Sequence, residues 1–388
     1  MTDLTTSLAF AAGHGGGANW RDAVAGTLRR LGDVPLGANL GIVYASDALV
    51  DDLDAVIATL RRETNIAHWV GCVGMGVMGL SYPTTGPSAY AGDAEEYFGV
   101  PALSLLAMKL PAEAFRLIPS QYGAEADLTA EGDDWLAVSQ PAIGLVHADP
   151  RHHHLAELIG DLADRVGYLV GGLSSSQGPM PVIANHIEEG AASGVLFSAG
   201  LSIATSLSQG CTPIGPARTV TQVHQNLLVE LDNLSALAAL QADLESDKLE
   251  DLQAVANSLH VALPVPGSDQ ADYTVRNLTG IDLPQGIVGI SATPDPGDRI
   301  IYCLRDADAA REDLKRMVKD LANRIGGPPR GGIYVSCLAR GPNLFDHNEE
   351  LEIIRHGLGD FPIAGFYANG EIANNRIYGY TGVLTVFA

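Results

Sequence analysis

The sequence predicts an α/β protein of two domains, with mixed sheets built from repeated βαβ units plus hairpins and with helices covering the sheets. Three observations predict it. At 388 residues the chain is long for one hydrophobic core. Continuous apolar strands alternate with amphipathic helices, a pattern that needs sheets with covered faces. The same strand–helix–strand pattern then recurs along the chain. There are 44 glycines, above the usual share of roughly 7%. Because apolar periodicity persists between them, they read as tight turns.

The first copy opens on Gly41-Ile-Val-Tyr-Ala45, followed by a helix carrying Leu49, Val50, Leu53, Val56, Ile57 and Leu60 on one face. Trp69–Val73 is its second strand, running into the loop Gly74-Met-Gly76. The second copy opens on Ile143–His147. Its helix carries Leu155, Leu158, Ile159, Leu162 and Val166, and Tyr168–Leu173 closes it before Ser174-Ser-Ser-Gln-Gly178. A third copy pairs Gly332–Ser336 with Ile363–Tyr367 through a helix around Glu349–His356. A further helix, with Leu314, Met317, Val318, Leu321 and Ile325 inward, joins the strand Arg299–Leu304 to that third copy. Val100–Leu110, Gly194–Ile203 and Tyr378–Phe387 read as extra strands in hairpins, and Leu263–Asp269 as a loop. Gly and Pro punctuate Gln209–Pro216, which sets the domains at 1–209 and 210–388.

The net charge is −23, from 46 acidic and 23 basic residues. Such a surface repels phosphate backbones and excludes nucleic acid as a partner. No apolar run reaches the roughly 20 residues of a membrane helix, and the N-terminus lacks a basic signal region. The expectation is a cytoplasmic protein without a membrane partner; homo-oligomers stay open. Cys72, Cys211, Cys303 and Cys337 form no C-x-x-C pair and read as reduced, buried thiols.

Ligands of α/β sheets meet the loops beyond the carboxyl ends of strands. Here those loops supply a candidate ligand-binding set of Cys337, Arg340, Asn369, Glu371, Ser174 and Cys72. Gly332–Ser336 and Ile363–Tyr367 run parallel in one βαβ unit, so their following loops emerge on one edge. Arg340 is the strong positive charge of those two loops and suits a small anion or zwitterion, gripped through a bidentate fork. The blander alternative makes Asn369-Gly370 a tight turn and Arg340–Glu371 a structural pair. Read as a surface-loop residue, Arg340 should tolerate alanine at a cost under about 0.5 kcal/mol.

Other candidates are weaker. Cys337 lies near His347 and His356 in sequence, but a Cys–His nucleophile needs spatial contact and an orienting third group, and an inert thiol is the better reading. No catalytic residue is assigned. His152-His153-His154 offers metal-binding side chains that would point to different sides of a helix, so no metal site is assigned. His224 and His68 are the histidines placed to serve as axial haem ligands. Gly13-His-Gly-Gly-Gly17 could cradle a phosphate but lacks the P-loop lysine, and a flexible turn is the simpler reading.

Several stretches occur in a telling order: Gly215-Pro-Ala-Arg-Thr-Val-Thr221, Asn226–Asp232, Val275–Asp282, Leu304-Arg-Asp-Ala307, Ser336-Cys-Leu-Ala-Arg-Gly341 and Gly365–Ile372. By these the chain resembles the FIST family, with roughly residues 30 to 205 similar to the FIST N domain and about Pro213–Phe387 to the FIST C domain. The loop Val73–Met78 departs from the family in lacking small polar residues. The resemblance implies an intracellular sensor of small ligands, an amino acid or other small anion or zwitterion, acting through a separate signalling protein such as a histidine kinase. Some members resembling it bind haem and sense nitric oxide, which makes a haem-based gas sensor the first alternative. An enzyme using an inter-domain cleft is the second.

Overall fold

The structure is a computed structural model describing residues 9–82, 93–128, 134–244, 258–265 and 273–388. Contacts divide the chain into two compact units. The first comprises Met1–Ser208, Leu314–Ile377 and Thr381–Ala388, and the second Gln209–Asp313 with Tyr378–Tyr380. The second unit is thus inserted between parts of the first, whereas the sequence division at 209/210 makes the two domains consecutive. The physical reason is strand pairing: Ile363–Phe366 pairs with Val77–Leu80, which ties the last βαβ copy to the first.

The first unit holds three repeats of one pattern. The first runs β1 (Ala9–Gly16), α1 (Trp20–Leu31), β2 (Leu40–Ser46), α2 (Leu53–Thr64), β3 (His68–Gly74), the hairpin β4 (Gly76–Ser81) and β5 (Asp93–Phe98), and β6 (Ala102–Lys109). The second runs β7 (Phe115–Gln121), α3 (Trp135–Ser139), β8 (Pro141–Ala148), α4 (Leu155–Val166), β9 (Tyr168–Leu173), the hairpin β10 (Val182–Ala184) and β11 (His186–Glu188), and β12 (Ala192–Ser198). The third begins with β13 (Ile203–Gln209).

The inserted unit follows: β14 (Cys211–Pro213), β15 (Arg218–His224), β16 (Leu227–Leu231), β17 (Leu234–Ser235), α5 (Ala236–Asp243), β18 (Leu259–Pro264), β19 (Tyr273–Asp282), β20 (Ile287–Ile290) and β21 (Arg299–Arg305). The third repeat then resumes with α6 (Ala307–Arg324), β22 (Gly331–Cys337), α7 (Glu349–Leu358), β23 (Ile363–Ala368), the hairpin β24 (Glu371–Ala373) and β25 (Arg376–Tyr378), and β26 (Thr381–Phe387).

The three sheets share one order: β1-β6-β2-β3-β10-β11, then β7-β12-β8-β9-β24-β25, then β13-β26-β22-β23-β4-β5. A parallel pair sits at the centre of each, with antiparallel strands on both sides. The hairpin of each repeat does not stay in its own sheet. β4-β5 joins the third sheet, β10-β11 the first, and β24-β25 the second. The repeats are therefore linked by a cyclic exchange of hairpins.

The parallel pairs also share register. Val43 lies opposite Gly71, Val146 opposite Gly171, and Tyr334 opposite Gly365. A Cβ at Gly71, Gly171 or Gly365 would lie 1.7, 1.9 or 2.3 Å from the carbonyl oxygen across the pair. At this one position only glycine lets the two backbones approach.

The helices cover the sheets with the faces their periodicity dictates. Val24, Leu31, Leu53, Val56 and Leu60 are buried on the first sheet, and Leu158, Ile159, Leu162 and Val166 on the second. Leu314, Met317 and Leu321 of α6 and Leu351 and Ile354 of α7 are buried likewise. Side chains of the three repeats meet at Phe366, which stacks on Tyr44 with ring centroids 4.6 Å apart and meets His147 edge-on. Gly13–Gly17, read from sequence as a flexible turn with a phosphate cradle as the alternative, is instead mostly strand. Gly13 and Gly15 press against α1, where added Cβ atoms would lie 2.3 and 2.5 Å from Thr27 backbone atoms.

In the second unit, antiparallel pairings among the described strands run β21-β15-β16-β20-β19-β18 and return from β18 to β21, closing a ring. Arg218 and Asp243 of this unit, both with largely buried side chains, pair through two hydrogen bonds. Of the loop expected at Leu263–Asp269, Leu263 and Pro264 belong to β18, and residues 266–269 lie outside the described residues. Among the described residues no helix is long and apolar enough to cross a membrane.

Candidate functional site

Beyond β22 the chain turns at Cys337-Leu-Ala-Arg-Gly341. The Arg340 amide donates to the Cys337 carbonyl (2.8 Å), and Gly341 follows at φ 41°, where a Cβ would strike the Tyr367 ring. This turn sends Arg340 inward. The residue is fully buried, 0% exposed, and so differs from the exposed loop cation expected from sequence. In the alternative reading Arg340 pairs with Glu371; in the structure its Nε donates instead to Glu350 Oε1 at 2.9 Å.

Glu350 stands in the first turn of α7, beside Leu351 and one turn before Ile354 on the buried face. A helix N-terminus favours a carboxylate there. Tyr334 Oη (2.7 Å) and Ser336 Oγ (2.9 Å to Oε2) also donate to it. Phe345 lies under the guanidinium, 4.9 Å from carbon to ring centroid. Burial works against the charge of Arg340, but Glu350 outweighs it and the pKa is raised. A neighbouring buried carboxylate, Glu96, receives the Tyr367 hydroxyl and the Asn348 amide.

Glu371 opens β24, directly after Gly370, whose φ of 136° turns the chain back against β9. It too is 0% exposed. Its Oε2 accepts the Thr381 amide (3.1 Å) and Thr381 Oγ1 (2.7 Å). Burial pushes its pKa up to about 8, although Thr381, Arg340 and the Cys337 thiol pull the other way. Arg340 is thus near enough to bias its ionisation without bonding to it.

Three polar atoms of this cluster have no hydrogen-bond partner among the described residues: Arg340 Nη1 and Nη2, and Glu371 Oε1. A buried donor or acceptor left so costs about 1–3 kcal/mol, more for a charged group. Such atoms in a native interior therefore call for a water, an ion or a ligand.

The cluster brings together Cys337, Arg340 and Glu371. Asn369 is exposed, and its amide donates to the Leu173 carbonyl (3.0 Å). Cys72 and Ser174 form a separate buried pair, in which Ser174 Oγ also donates to Pro181 (3.2 Å). Burial pushes the Cys72 thiol well up. Glu350, Tyr334 and Thr381 were not read as site residues from sequence. The available signal was Glu350, an acid set into the apolar stripe of α7.

The histidines are engaged elsewhere. His347 bonds Glu95, and His356 bonds the Glu352 carbonyl, so neither orients on Cys337. His152–His154 precede α4 in a turn, with His152 bonding the His154 amide and His154 bonding Glu157. Among the described residues no group of three or more His, Cys, Asp or Glu side chains could hold a metal ion. His224 is exposed on β15 of the second unit, and His68 packs edge-on against Phe115 beside Asn185. These surroundings do not fit an axial haem ligand, whose ring plane must seat in an apolar slot. A groove of about 440 Å³ at the amino end of β3, lined by Arg61, Asn65, Ile66, Ala67, Asn185 and His186, lies in the same unit. It is open to solvent, and of its lining side chains only Arg61, itself partly exposed, carries a buried atom without a partner, Nε.

With this geometry in place, comparison with known proteins adds the following. The FIST N domain matches residues 39–234 and the FIST C domain residues 236–374. Two uncharacterized proteins, from Mycobacterium tuberculosis strains CDC 1551 / Oshkosh and H37Rv, are 30% identical to the chain over 405 aligned positions, covering 99% of it and 97% of each relative. An uncharacterized protein of Mycobacterium bovis is 31% identical over 194 positions, covering 47% of the chain and 49% of the relative.

Proposed function

Because the chain belongs to the FIST family, whose domains are small-ligand sensory domains, we propose that it is a sensory protein that takes a small polar ligand at Arg340 and Glu371. One observation carries this reading: two wholly buried side chains of the same cluster present three polar atoms without partners. An isolated buried arginine edge is expensive, so a protein that keeps one benefits from something that completes it. Cys337 lines the same cluster, its thiol beside the Glu371 carboxyl. The ligand class is a small anion or zwitterion, free amino acids included, and the output passes through a separate signalling protein.

The test is a thermal-shift screen of amino acids and small carboxylates, followed by calorimetry. A ligand at 100 times its Kd stabilises by about 2.7 kcal/mol. Arg340→Lys keeps the charge facing Glu350 but loses the fork, and Glu371→Gln keeps the shape. Both should weaken binding of any hit while the fold persists. A hit bound equally by both variants and the parent places the site elsewhere.

A further inference from the structure

We propose that the ligand held here is a small oxyanion, a carboxylate in its simplest form, and that it binds only while Glu371 carries its proton. This rests on the reading of the site given above and adds the ligand's charge and the proton that travels with it.

The argument begins with which atoms are open. Glu371 Oε2 accepts two hydrogen bonds from Thr381, and although the Cys337 thiol lies near the carboxyl, Oε1 has no partner at hydrogen-bond geometry among the described residues. In a neutral carboxyl group the proton belongs on the oxygen that accepts nothing, so Oε1 presents an O–H donor. Arg340 uses Nε on Glu350, which leaves the N–H groups of Nη1 and Nη2 open. Guanidinium nitrogens only donate. The open groups are therefore all donors, and the partner that satisfies them must accept on more than one atom. A planar oxyanion does this, and an ammonium does not.

Charge leads to the same partner. The positive charge of Arg340 is already shared with Glu350 at 2.9 Å. With a single arginine in the cluster, one further negative charge beside Glu350 is the most it can balance. That charge is either the ligand's or that of ionised Glu371, because two would face one another in a buried site with one arginine between them. Among the described residues acting on Glu371, Arg340 is the one cation. β9 presents Gly172, Gly171 and Val170 across the pair. β26 contributes Thr381, β22 contributes the Cys337 thiol, and Arg340 is followed outward by Glu350 and Tyr334. With its carboxyl held up at about 8, Glu371 is protonated at neutral pH and ready to donate.

The test uses the full chain with acetate as the anionic probe and methylammonium as its cationic counterpart, by thermal shift and titration calorimetry across pH. The expected result is stabilisation by acetate at pH 7, with affinity falling about tenfold per pH unit once Glu371 ionises. Glu371→Gln, which cannot ionise, should bind acetate with a flat profile over the same range. Arg340→Lys should bind acetate more weakly at every pH. Acetate binding that is pH-independent in the parent overturns the proton coupling but leaves the site in place. Stabilisation by methylammonium in place of acetate overturns the ligand class. If neither probe binds parent protein whose tryptophan fluorescence shows it folded, both this inference and the site reading fail.

Discussion

Replacing Arg340 by alanine should unfold much of the first unit's stability, contrary to what a loop residue would do. The side chain is 0% exposed and Glu350 2%. Removing the cation leaves Glu350 buried with only Tyr334 and Ser336 to solvate it. Breaking a buried pair from one side costs about 3–5 kcal/mol. Loss of the contact over Phe345 adds about 0.5 kcal/mol or more. All three tryptophans of the chain, Trp20, Trp69 and Trp135, lie in the first unit, so fluorescence during urea unfolding reports on it alone. With a slope of about 3 kcal/mol per M, the midpoint should fall by roughly 1.2–1.8 M. Arg340→Met combined with Glu350→Gln should recover most of that loss, since the amide oxygen still accepts from Tyr334 and Ser336 and no charge is stranded. The reasoning is refuted if the single alanine variant costs under about 1 kcal/mol, or if the double variant is no more stable than the single one.

Gly71→Ala, Gly171→Ala and Gly365→Ala should each abolish soluble folded protein or cost more than about 3 kcal/mol, because the new Cβ meets a carbonyl oxygen across the parallel pair; near-parental circular dichroism melts for any of them would count against the shared register. Gly160→Ala, in mid-α4 with nothing within 4 Å of its Cβ position, should instead raise stability by about 0.5–1 kcal/mol in the same assay. His147 is buried and burial lowers its pKa to about 3, below the ordinary value of 6.5. The unfolded chain then binds a proton that the folded one refuses, so stability is full above pH 6.5 and falls as the pH drops from there toward 3. His147→Gln should make that decline shallower by up to about 1.4 kcal/mol per pH unit, read from urea midpoints at a series of pH values.

Much of the fold was legible because local pattern determines local structure. The apolar face of α4 and the strands Tyr168–Leu173 and Gly332–Ser336 each bury the side chains their spacing marked. What the pattern could not carry was pairing. The stretch read as the loop Val73–Met78 instead runs into the strand Gly76–Ser81, and nothing near it in sequence says that its partner is β23. Periodicity assigns a face, but neighbours separated by most of the chain are chosen by the whole packing. The same limit applied to the site. Adjacent loops placed Arg340, Cys337 and Glu371 in one region. The partner of Arg340 was hidden because Glu350 lies on a helix face, where an acid among leucines and isoleucines is the only hint of a buried charge.

The exchange of hairpins also sets a timetable for the ribosome. Met78 finds its place only when Gly365 has been made. At ordinary translation rates that is a wait of roughly 15–60 s. Throughout it β4 offers Val77, Met78 and Leu80 on an unpaired edge, and β9 waits likewise for Ile372. Unpaired apolar edges are where nascent chains adhere to one another. Early strands of this protein thus depend on late ones, and the emerging chain would profit from a chaperone until β23 and β24 arrive.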